Sequence, residues 1–272
     1  MSNRKIFDDV LRTMQERLPE LLIPLVNEVF HTSYTKETEV TRLPEGYQKL
    51  VSKVVADSCS LLGKRIYHFE CQSRTDGNMV LRMVEYDFMI ALVDGKRRKE
   101  KRKIQFPNSC IIYLRSSKNT LKEETLDIEF SDGQTVTYKV PVLKLKDYDI
   151  DEIFEKDLLI LLPYYIIKYE REFAKIAESE ERTEKLVEEY RKIVLRLEEV
   201  VRNERIEVFQ DLLQLIQQVM DYLLRKELVL KERMGETMGG KVLPLPSDAL
   251  REAKEQVIEQ GIKEGIKEGI KE

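Results

Sequence analysis

The order strand, helix, strand between residues 65 and 116 is the feature that most constrains how this chain folds. RIYHFECQS predicts a strand, because it is rich in aromatic and β-branched residues. SCIIYLRS predicts a buried strand, because its centre is continuously apolar. MVLRMVEYDFMIALV, which lies between them, carries its apolar residues at helical spacing. A helix that connects two strands in this way is a crossover, so this part of the chain predicts an α/β fold.

The segments on either side add a helix and further strands. Residues 5–30 have helical spacing, and Pro19 and Pro24 are expected to kink or split that helix. ETEVTRLP predicts a short strand, and QKLVSKVVADSCSLL predicts a second one that turns at Gly63 into RIYHFECQS. Helix, three strands, helix and strand is a compact α/β order. The DG pair between TLDIEF and TVTYKV predicts a β-hairpin.

The chain changes character near residue 150. DEIFEKDLLILLPYYIIKYEREFAKI is predicted to be helical, and a second long helix is expected from about Arg205 to Glu232. GETMGGKVLPLPSD predicts a linker, and a last helix runs into three GIKE repeats, which suit either self-association or a frayed tail. We therefore predict an α/β domain over residues 1–150, a helical region over 151–234, and a linker with a C-terminal helix over 235–272.

Between residues 182 and 201, apolar side chains follow one another at alternating steps of three and four residues. They are Leu186, Tyr190, Ile193, Leu197 and Val200. The simplest interpretation is helix packing within the chain, and the alternative is the seam of a dimer. On the second interpretation the protein is a homo-oligomer that associates through its helical C-terminal half.

Composition restricts the partners and the setting of the protein. Its 46 basic and 50 acidic residues nearly cancel, so binding to nucleic acid has to come from a local patch. The run KRRKEKRK at positions 96–103 is such a patch, and the alternative is a solvated loop. Three isolated cysteines without CxxC pairing argue against a zinc site and a disulfide scaffold. A charged start and the lack of an apolar run of about 18 residues lead us to expect a cytoplasmic protein with no membrane partner.

Two acidic residues and an amide are the candidates for chemistry. Asp57 is expected on one strand and Glu70 on the next, facing the same way. Neighbouring strands lie about 5 Å apart, so an acid on each can share one divalent cation. Such a cation neutralises charge on a phosphate and lowers the pKa of an attacking water, as phosphodiester hydrolysis requires. Gln72 projects from the same face as Glu70 and is predicted to orient that water, and the backbone carbonyl of Cys71 is a further predicted ligand.

The same residues resemble a known family. Asp57, followed thirteen residues later by ECQ, is similar to the signature of the PD-(D/E)xK phosphodiesterase superfamily. More narrowly, YHFECQSRTDGNMVLRMVEYD resembles the Rpn family of recombination-promoting, transposase-like nucleases. The matching residues are Glu70, Gln72, Ser73, Met79, Arg82 and Tyr86. The tail EQGIKEGIKEGIKE is a second mark of that family, and the resemblance covers residues 1 to about 120 together with the tail.

The resemblance implies a restriction-endonuclease-like core and an Mg²⁺-dependent DNA endonuclease, in which Mn²⁺ can substitute. Asp57 and Glu70 then bind the metal. The DNA backbone is then held by Arg82 and by four residues of the basic run, Arg97, Arg98, Lys101 and Arg102. Gln72 stands where the superfamily has a lysine, so an amide dipole replaces a fixed charge and a slow or tightly regulated enzyme is expected. The alternative is a non-catalytic DNA-binding or self-assembling scaffold protein that keeps the fold.

Four further side chains have two interpretations each. Arg82 either binds a phosphate oxygen or forms a salt bridge with Glu85 or Asp87. Tyr86 is expected to pack, with its hydroxyl as a minor site contact. His68 is expected to be a half-buried histidine with satisfied hydrogen bonds rather than a metal ligand. Glu28 is expected on a solvated helix face, and the alternative makes it an additional acid of the metal site.

Overall fold

The computed structural model describes residues 3–42, 59–75, 77–99, 102–202 and 206–238. Within these ranges the chain forms a mixed sheet of six strands flanked by helices, which confirms the predicted α/β class. The strands are β1 (Val40–Arg42), β2 (Cys59–Leu62), β3 (Arg65–Gln72), β4 (Asn108–Tyr113), β5 (Glu123–Glu129) and β6 (Thr135–Lys144). Their order in the sheet is β1-β2-β3-β4-β6-β5.

The sheet has an antiparallel and a parallel part. β1, β2 and β3 follow one another antiparallel, and the register pairs Cys59 with His68. β3 and β4 are parallel, with Gln72 opposite Tyr113, and α3 (Met79–Arg97) connects them. β6 lies parallel to β4, and β5 pairs antiparallel with β6 at the edge. Among the described residues the predicted order of helix, three strands, helix and strand is confirmed. Residues 48–58 of the predicted second strand lie outside them, and a restriction-endonuclease-like arrangement stays a prediction.

Two tight turns lie at glycines. Gly63, between β2 and β3, has a φ of 58°, and Gly133, between β5 and β6, has a φ of 85°. Glycine suits both turns, because a positive φ is strained for a residue with a Cβ atom. The second turn is closed by the N–H of Phe130, which donates to the carbonyl of Gln134 at 2.8 Å. The two predicted hairpin connections are confirmed.

The first helical segment is split at a proline, as predicted. α1 (Asn3–Arg17) ends before Pro19, a 3₁₀ turn covers Pro19–Leu21, and α2 (Leu22–Phe30) follows. Pro19 has no N–H to donate into the preceding helix, so α1 does not continue through it. Pro24 lies in the first turn of α2, where a backbone N–H has no partner within the helix.

The helical half is more interrupted than the sequence predicts. It consists of α4 (Ile150–Glu155), a 3₁₀ helix (Leu159–Glu172), α5 (Phe173–Ala177), α6 (Glu180–Leu197), a π-helical turn (Glu198–Arg202), α7 (Ile206–Leu223) and α8 (Leu228–Met238). The segment 151–176 is divided, because Asp157 takes a φ of 56° after the end of α4 and Pro163 lies in the 3₁₀ helix. The prediction of one continuous helix from Arg205 to Glu232 is wrong, because two separate helices, α7 and α8, cover that stretch.

One hydrophobic core joins the α/β part to the helical half. α1 and α2 pack on the face of β3 that carries Tyr67 and Phe69, and the same core continues into the helices after residue 150. The ring of Phe7 in α1 packs edge-to-face against Tyr164 and Tyr222, with ring centroids 6.2 and 6.1 Å away. The core therefore extends across position 150, where the secondary structure changes.

The apolar stripe of α6 packs within this core. Leu186, Tyr190, Ile193 and Leu197 are buried, whereas Val200 is exposed. Packing within the chain, the simpler of the two interpretations, is confirmed. A dimer formed through the helical half stays a prediction and would have to use another surface.

α3 covers the opposite face of the sheet. Its Ile90 shares an apolar cluster with Ile66 of β3, and its Met83 shares another with Ile111 of β4. Between these clusters β3 presents polar side chains to α3. The helix and the polar part of β3 together form the candidate site.

Two expectations from composition can be compared with the fold. Cys59, Cys71 and Cys110 are buried thiols that form no disulfide. Among the helices of the described ranges, none has the length and apolar character needed to cross a membrane.

Candidate active site

β3 is a central strand that carries a polar row on one face. Tyr67 and Phe69 point into the main core, whereas His68, Glu70 and Gln72 face α3, as the two-residue alternation of a strand predicts. His68 and Gln72 are buried, and the side chain of Glu70 is 14% exposed. A strand that is buried on both faces is usually apolar throughout. The polar row is therefore the feature of the sheet that needs an explanation.

His68 lies between two carboxylates. Its Nδ1 is 2.7 Å from Oδ1 of Asp87, and its Nε2 is 3.3 Å from Oε1 of Glu70. The hydroxyl of Tyr138 donates to the other carboxylate oxygen of Asp87. Burial lowers the pKa of His68, but the hydrogen bonds with Asp87 and Glu70 outweigh it and raise that pKa to about 9. The expected histidine with satisfied hydrogen bonds is confirmed, although it is fully buried rather than half-buried.

Both carboxylate oxygens of Glu70 accept hydrogen bonds. Oε1 faces His68, and Oε2 accepts from Nε2 of Gln72 at 3.4 Å. A carboxylate has about four lone-pair positions, so these two contacts leave room for a cation or a water. Because its side chain is partly exposed, Glu70 is the member of the row that a ligand can approach.

Arg82 reaches the row from the first turn of α3. Its Nη2 donates to Oε1 of Gln72 at 3.2 Å. Since the other end of the same amide donates to Glu70, Gln72 links a carboxylate to a guanidinium. Arg82, which follows Gln72 by ten residues and Glu70 by twelve, is thus brought next to them in space.

Two other side chains of α3, Asp87 and Tyr86, lie beside His68. Asp87, one of the acids considered as a salt-bridge partner of Arg82, is bonded to His68 and Tyr138. The ring of Tyr86 lies edge-to-face against that of His68, with centroids 6.1 Å apart. The packing role predicted for Tyr86 is confirmed, and a contact of its hydroxyl with substrate stays a prediction.

The other two predicted metal ligands are Asp57 and Cys71. Asp57 lies outside the described residues, and Cys59, two positions further along the chain, is the partner of His68 in the sheet. The thiol of Cys71 points into the main core on the opposite face, where burial raises its pKa well above the usual range. A metal role of Cys71 therefore has to involve its backbone carbonyl, which stays a prediction.

Glu28 does not belong to the polar row. It lies on α2, which packs on the opposite face of the sheet, where the rings of Phe30 and Tyr67 are 5.3 Å apart. Its carboxylate accepts hydrogen bonds from Lys156 at 2.6 Å and from the hydroxyl of Tyr148 at 3.1 Å. Glu28 therefore connects α2 to the helical half, and the interpretation as an additional metal-site acid is not supported.

The basic run lies at the other end of β3. Arg98 donates to the backbone carbonyl of Lys64 at 3.3 Å, and its Nε is 2.6 Å from Oδ2 of Asp94. Lys64 immediately precedes β3, six residues before Glu70. At about 3.3 Å per residue of strand, the two positions lie about 20 Å apart.

Exposed cations surround this point, and we call them the basic end. They are Lys64, Arg65, Lys96, Lys99, Arg102 and Lys103. The chain at Lys103 packs against Gly95 near the end of α3, which keeps the later part of the run close to the helix. Of the predicted DNA contacts, Arg102 belongs to the basic end, and the charge of Arg98 is partly neutralised by Asp94. Lys101 and the side chain of Arg97 lie outside the described residues.

The sequence does not identify Asp87 as the partner of His68, or Tyr138 as the partner of Asp87. The sequence offers Asp87 only as a partner of Arg82, although Asp87 lies in the buried stripe of α3 between Met83 and Ile90. An acid in an apolar helix stripe needs a buried partner, and that is the signal that identifies it. Tyr138 gave no comparable signal, because tyrosine is ordinary in an alternating strand.

Of the predicted metal ligands, Glu70 is the one whose side chain the structure describes on the α3 face of the sheet. Within the described residues, no group of three or more His, Cys, Asp and Glu side chains is arranged to hold a metal ion. Glu70 nevertheless fits a hard divalent cation, because its carboxylate has unused lone pairs and access to solvent. Such cations prefer oxygen ligands, and Mg²⁺ usually keeps several bound waters. No protein-family model, curated protein or solved structure matches this chain. The resemblance to the Rpn nucleases therefore rests on the motif residues themselves.

Proposed function

We propose that this protein is a metal-dependent endonuclease that hydrolyses phosphodiester bonds in DNA. The observation that carries the proposal is the arrangement of Glu70, Gln72 and Arg82 on the α3 side of a central strand. Buried polar side chains stabilise a fold no better than apolar ones and require partners to be tolerated. Their presence here, with a partly exposed carboxylate at the centre, is explained by a reaction site.

Glu70 and Asp57 are the proposed ligands of Mg²⁺ or Mn²⁺. Asp57 precedes Cys59 by two residues, as Glu70 follows His68 by two, and Cys59 and His68 are partners in the antiparallel register. When bound, such a cation stabilises negative charge on a phosphoryl group and lowers the pKa of a bound water. Glu70 offers that site a carboxylate whose orientation is held by hydrogen bonds on both oxygens.

Gln72 and Arg82 are proposed to act as a unit. The superfamily has a lysine where this chain has Gln72, so one positive charge is missing from that position. The guanidinium of Arg82, which donates to the amide oxygen of Gln72, brings a cation to the same place. Guanidinium is planar and presents several donors, so it suits the binding of phosphate oxygens. Arg82 is therefore proposed to stabilise the phosphate during cleavage and Gln72 to hold both Arg82 and the attacking water.

The basic end is proposed to contact the DNA backbone at a distance from the cleavage point. The basic end lies about 20 Å from Glu70. That distance corresponds to about six base pairs of DNA, at 3.4 Å per step. A duplex that reaches both places therefore has to extend at least that far from the cleaved bond. Charge at the basic end then contributes to affinity, whereas Arg82 contributes to the reaction.

Conversion of supercoiled plasmid to nicked or linear forms tests the proposal. The intact chain is expected to cleave with Mg²⁺ or Mn²⁺ and to stop when the metal is chelated. Glu70→Gln, which keeps the shape of the side chain and removes its charge, is expected to abolish cleavage. Glu129→Gln removes an exposed carboxylate from the β5 edge and is the matched control. Duplex binding without metal-dependent cleavage would favour the non-catalytic DNA-binding or scaffold protein instead.

A further inference from the structure

Behind Glu70, three buried side chains from three different elements are joined in a line. His68 comes from β3, Asp87 from α3 and Tyr138 from β6. Both carboxylate oxygens of Asp87 are used, one by Nδ1 of His68 at 2.7 Å and the other by the hydroxyl of Tyr138. The line ends at Oε1 of Glu70, 3.3 Å from Nε2 of His68.

We propose that Asp87 and Tyr138 are positioning residues that act through His68 on the carboxylate of Glu70. The inference rests on the proposed function, since it assigns these residues a role in holding a metal ligand. His68 and Asp87 are fully buried, so neither touches substrate. Their effect on the reaction has to pass through the one partly exposed member of the line, which is Glu70.

The geometry explains why a line of this kind holds a carboxylate in place. A histidine ring that is bonded through Nδ1 to a fixed acceptor presents its Nε2 in one direction only. Asp87 is such an acceptor, because Tyr138 engages its second oxygen and prevents the carboxylate from turning. Outer partners of this type orient metal-ligating side chains, and their loss typically weakens metal binding by about 10–100-fold.

The anchoring elements are well suited to the role. β3 and β6 both pair with β4, and α3 packs on them, so the three groups are attached to the rigid centre of the fold. Sites built on such elements keep their geometry better than sites built on loops. The line therefore limits the movement of the Glu70 carboxylate. Glu70 lies near the end of β3, where its side chain is partly exposed.

The first experiment measures Mg²⁺ and Mn²⁺ binding to the intact chain by isothermal titration calorimetry. Asp87→Asn and Tyr138→Phe are expected to bind the metal more weakly, the first by about 10–100-fold and the second by less. Two matched controls are expected to bind as the unaltered protein does. Asp94→Asn removes a second buried carboxylate of α3, which pairs with Arg98, and Tyr148→Phe removes a hydroxyl that donates to Glu28 on the other face.

The second experiment uses the fact that the chain has two histidines, His31 and His68. With ¹⁵N-labelled histidine, added Mg²⁺ is expected to shift the ring signals of His68 and to leave those of His31 unchanged. The shift is expected to shrink in Asp87→Asn at metal concentrations that saturate the unaltered protein. A residue with a purely structural role would change thermal stability without changing this response.

The outcomes separate the inference from the function on which it rests. Equal metal affinity in folded Asp87→Asn, folded Tyr138→Phe and the unaltered chain overturns the positioning role and leaves the proposed function standing. If Asp87→Asn does not fold, the affinity of Tyr138→Phe decides, because that change keeps the ring and removes only a hydroxyl. No metal binding by the unaltered chain overturns both.

Discussion

The guanidinium of Arg82 donates a hydrogen bond to the side-chain oxygen of Gln72, at a distance of 3.2 Å. The amide nitrogen of Gln72 points the other way and donates to Glu70. Gln72 therefore stands between the carboxylate proposed to bind the metal and the cation proposed to bind the phosphate. Removing either neighbour should have a different consequence from removing Gln72 itself.

Arg82→Ala is expected to reduce cleavage by about 100–1000-fold, the range seen when a charge-stabilising donor is lost from an active site. Metal affinity should stay within a few-fold of normal, because a guanidinium has no lone pair to offer a cation and Arg82 is not one of the proposed ligands. The measurement is the rate of plasmid nicking at saturating Mg²⁺, beside calorimetry of metal binding.

Adding Gln72→Lys to Arg82→Ala is expected to recover part of that loss, since an ammonium then occupies the place where the superfamily has one. In the unaltered background Gln72→Lys should retain or raise activity, with a smaller gain because Arg82 already supplies a charge. Full activity in Arg82→Ala would show that the guanidinium has no part in the reaction.

Gln72→Ala is expected to lose most cleavage while metal affinity stays close to normal. The side chain is nearly buried and holds Arg82 and Glu70 in relation to each other, so its loss disorganises the site without removing a proposed ligand. Calorimetry with Mn²⁺ and the nicking assay on the same preparation measure the two effects. A large fall in metal affinity would instead identify the amide oxygen of Gln72 as a ligand.

Asp87→Ala is expected to lower the free energy of unfolding by about 3–5 kcal/mol, because it leaves His68 buried with one partner missing. Urea denaturation followed by circular dichroism measures the change. Lys185→Ala, which removes one member of an exposed helix pair with Glu181, is expected to leave the denaturation midpoint nearly unchanged. A similarly small effect in Asp87→Ala would contradict a stabilising role of the buried His68–Asp87 pair.

Replacing Lys99, Arg102 and Lys103 by glutamine is expected to make DNA binding less dependent on salt. Each phosphate contact releases counterions, so the slope of log affinity against log salt should fall in magnitude by about 0.9 per lost contact, up to about 2.7. We would measure binding of a short duplex between low and physiological salt without added metal, in the Glu70→Gln background that is expected not to cleave. The same change at Lys175, Lys185 and Lys192 on the helical half is the control with equal charge. Equal slopes in the two triple variants would place the DNA away from the basic end.

Much of this fold could be predicted from the sequence, because it depends on local periodicity. The two-residue alternation of β3 is sufficient to place Glu70 and Gln72 on one face and Cys71 on the other. The three- and four-residue steps of α6 likewise predict that Leu186 and Ile193 are buried. In both cases the spacing of side chains along one element decides which neighbours they meet.

The tertiary structure alone decided the features that depend on how separate elements meet. Asp87 and Tyr138 are 51 residues apart, and only the packing of α3 on β3 and β6 brings Asp87 to His68 and Tyr138 to Asp87. The basic run follows the helix that carries Arg82, yet it lies at the far end of β3, because a helix that crosses from one parallel strand to the next returns to the strands' starting edge. Local spacing determines the face on which a side chain lies, whereas the packing of elements determines what that face meets.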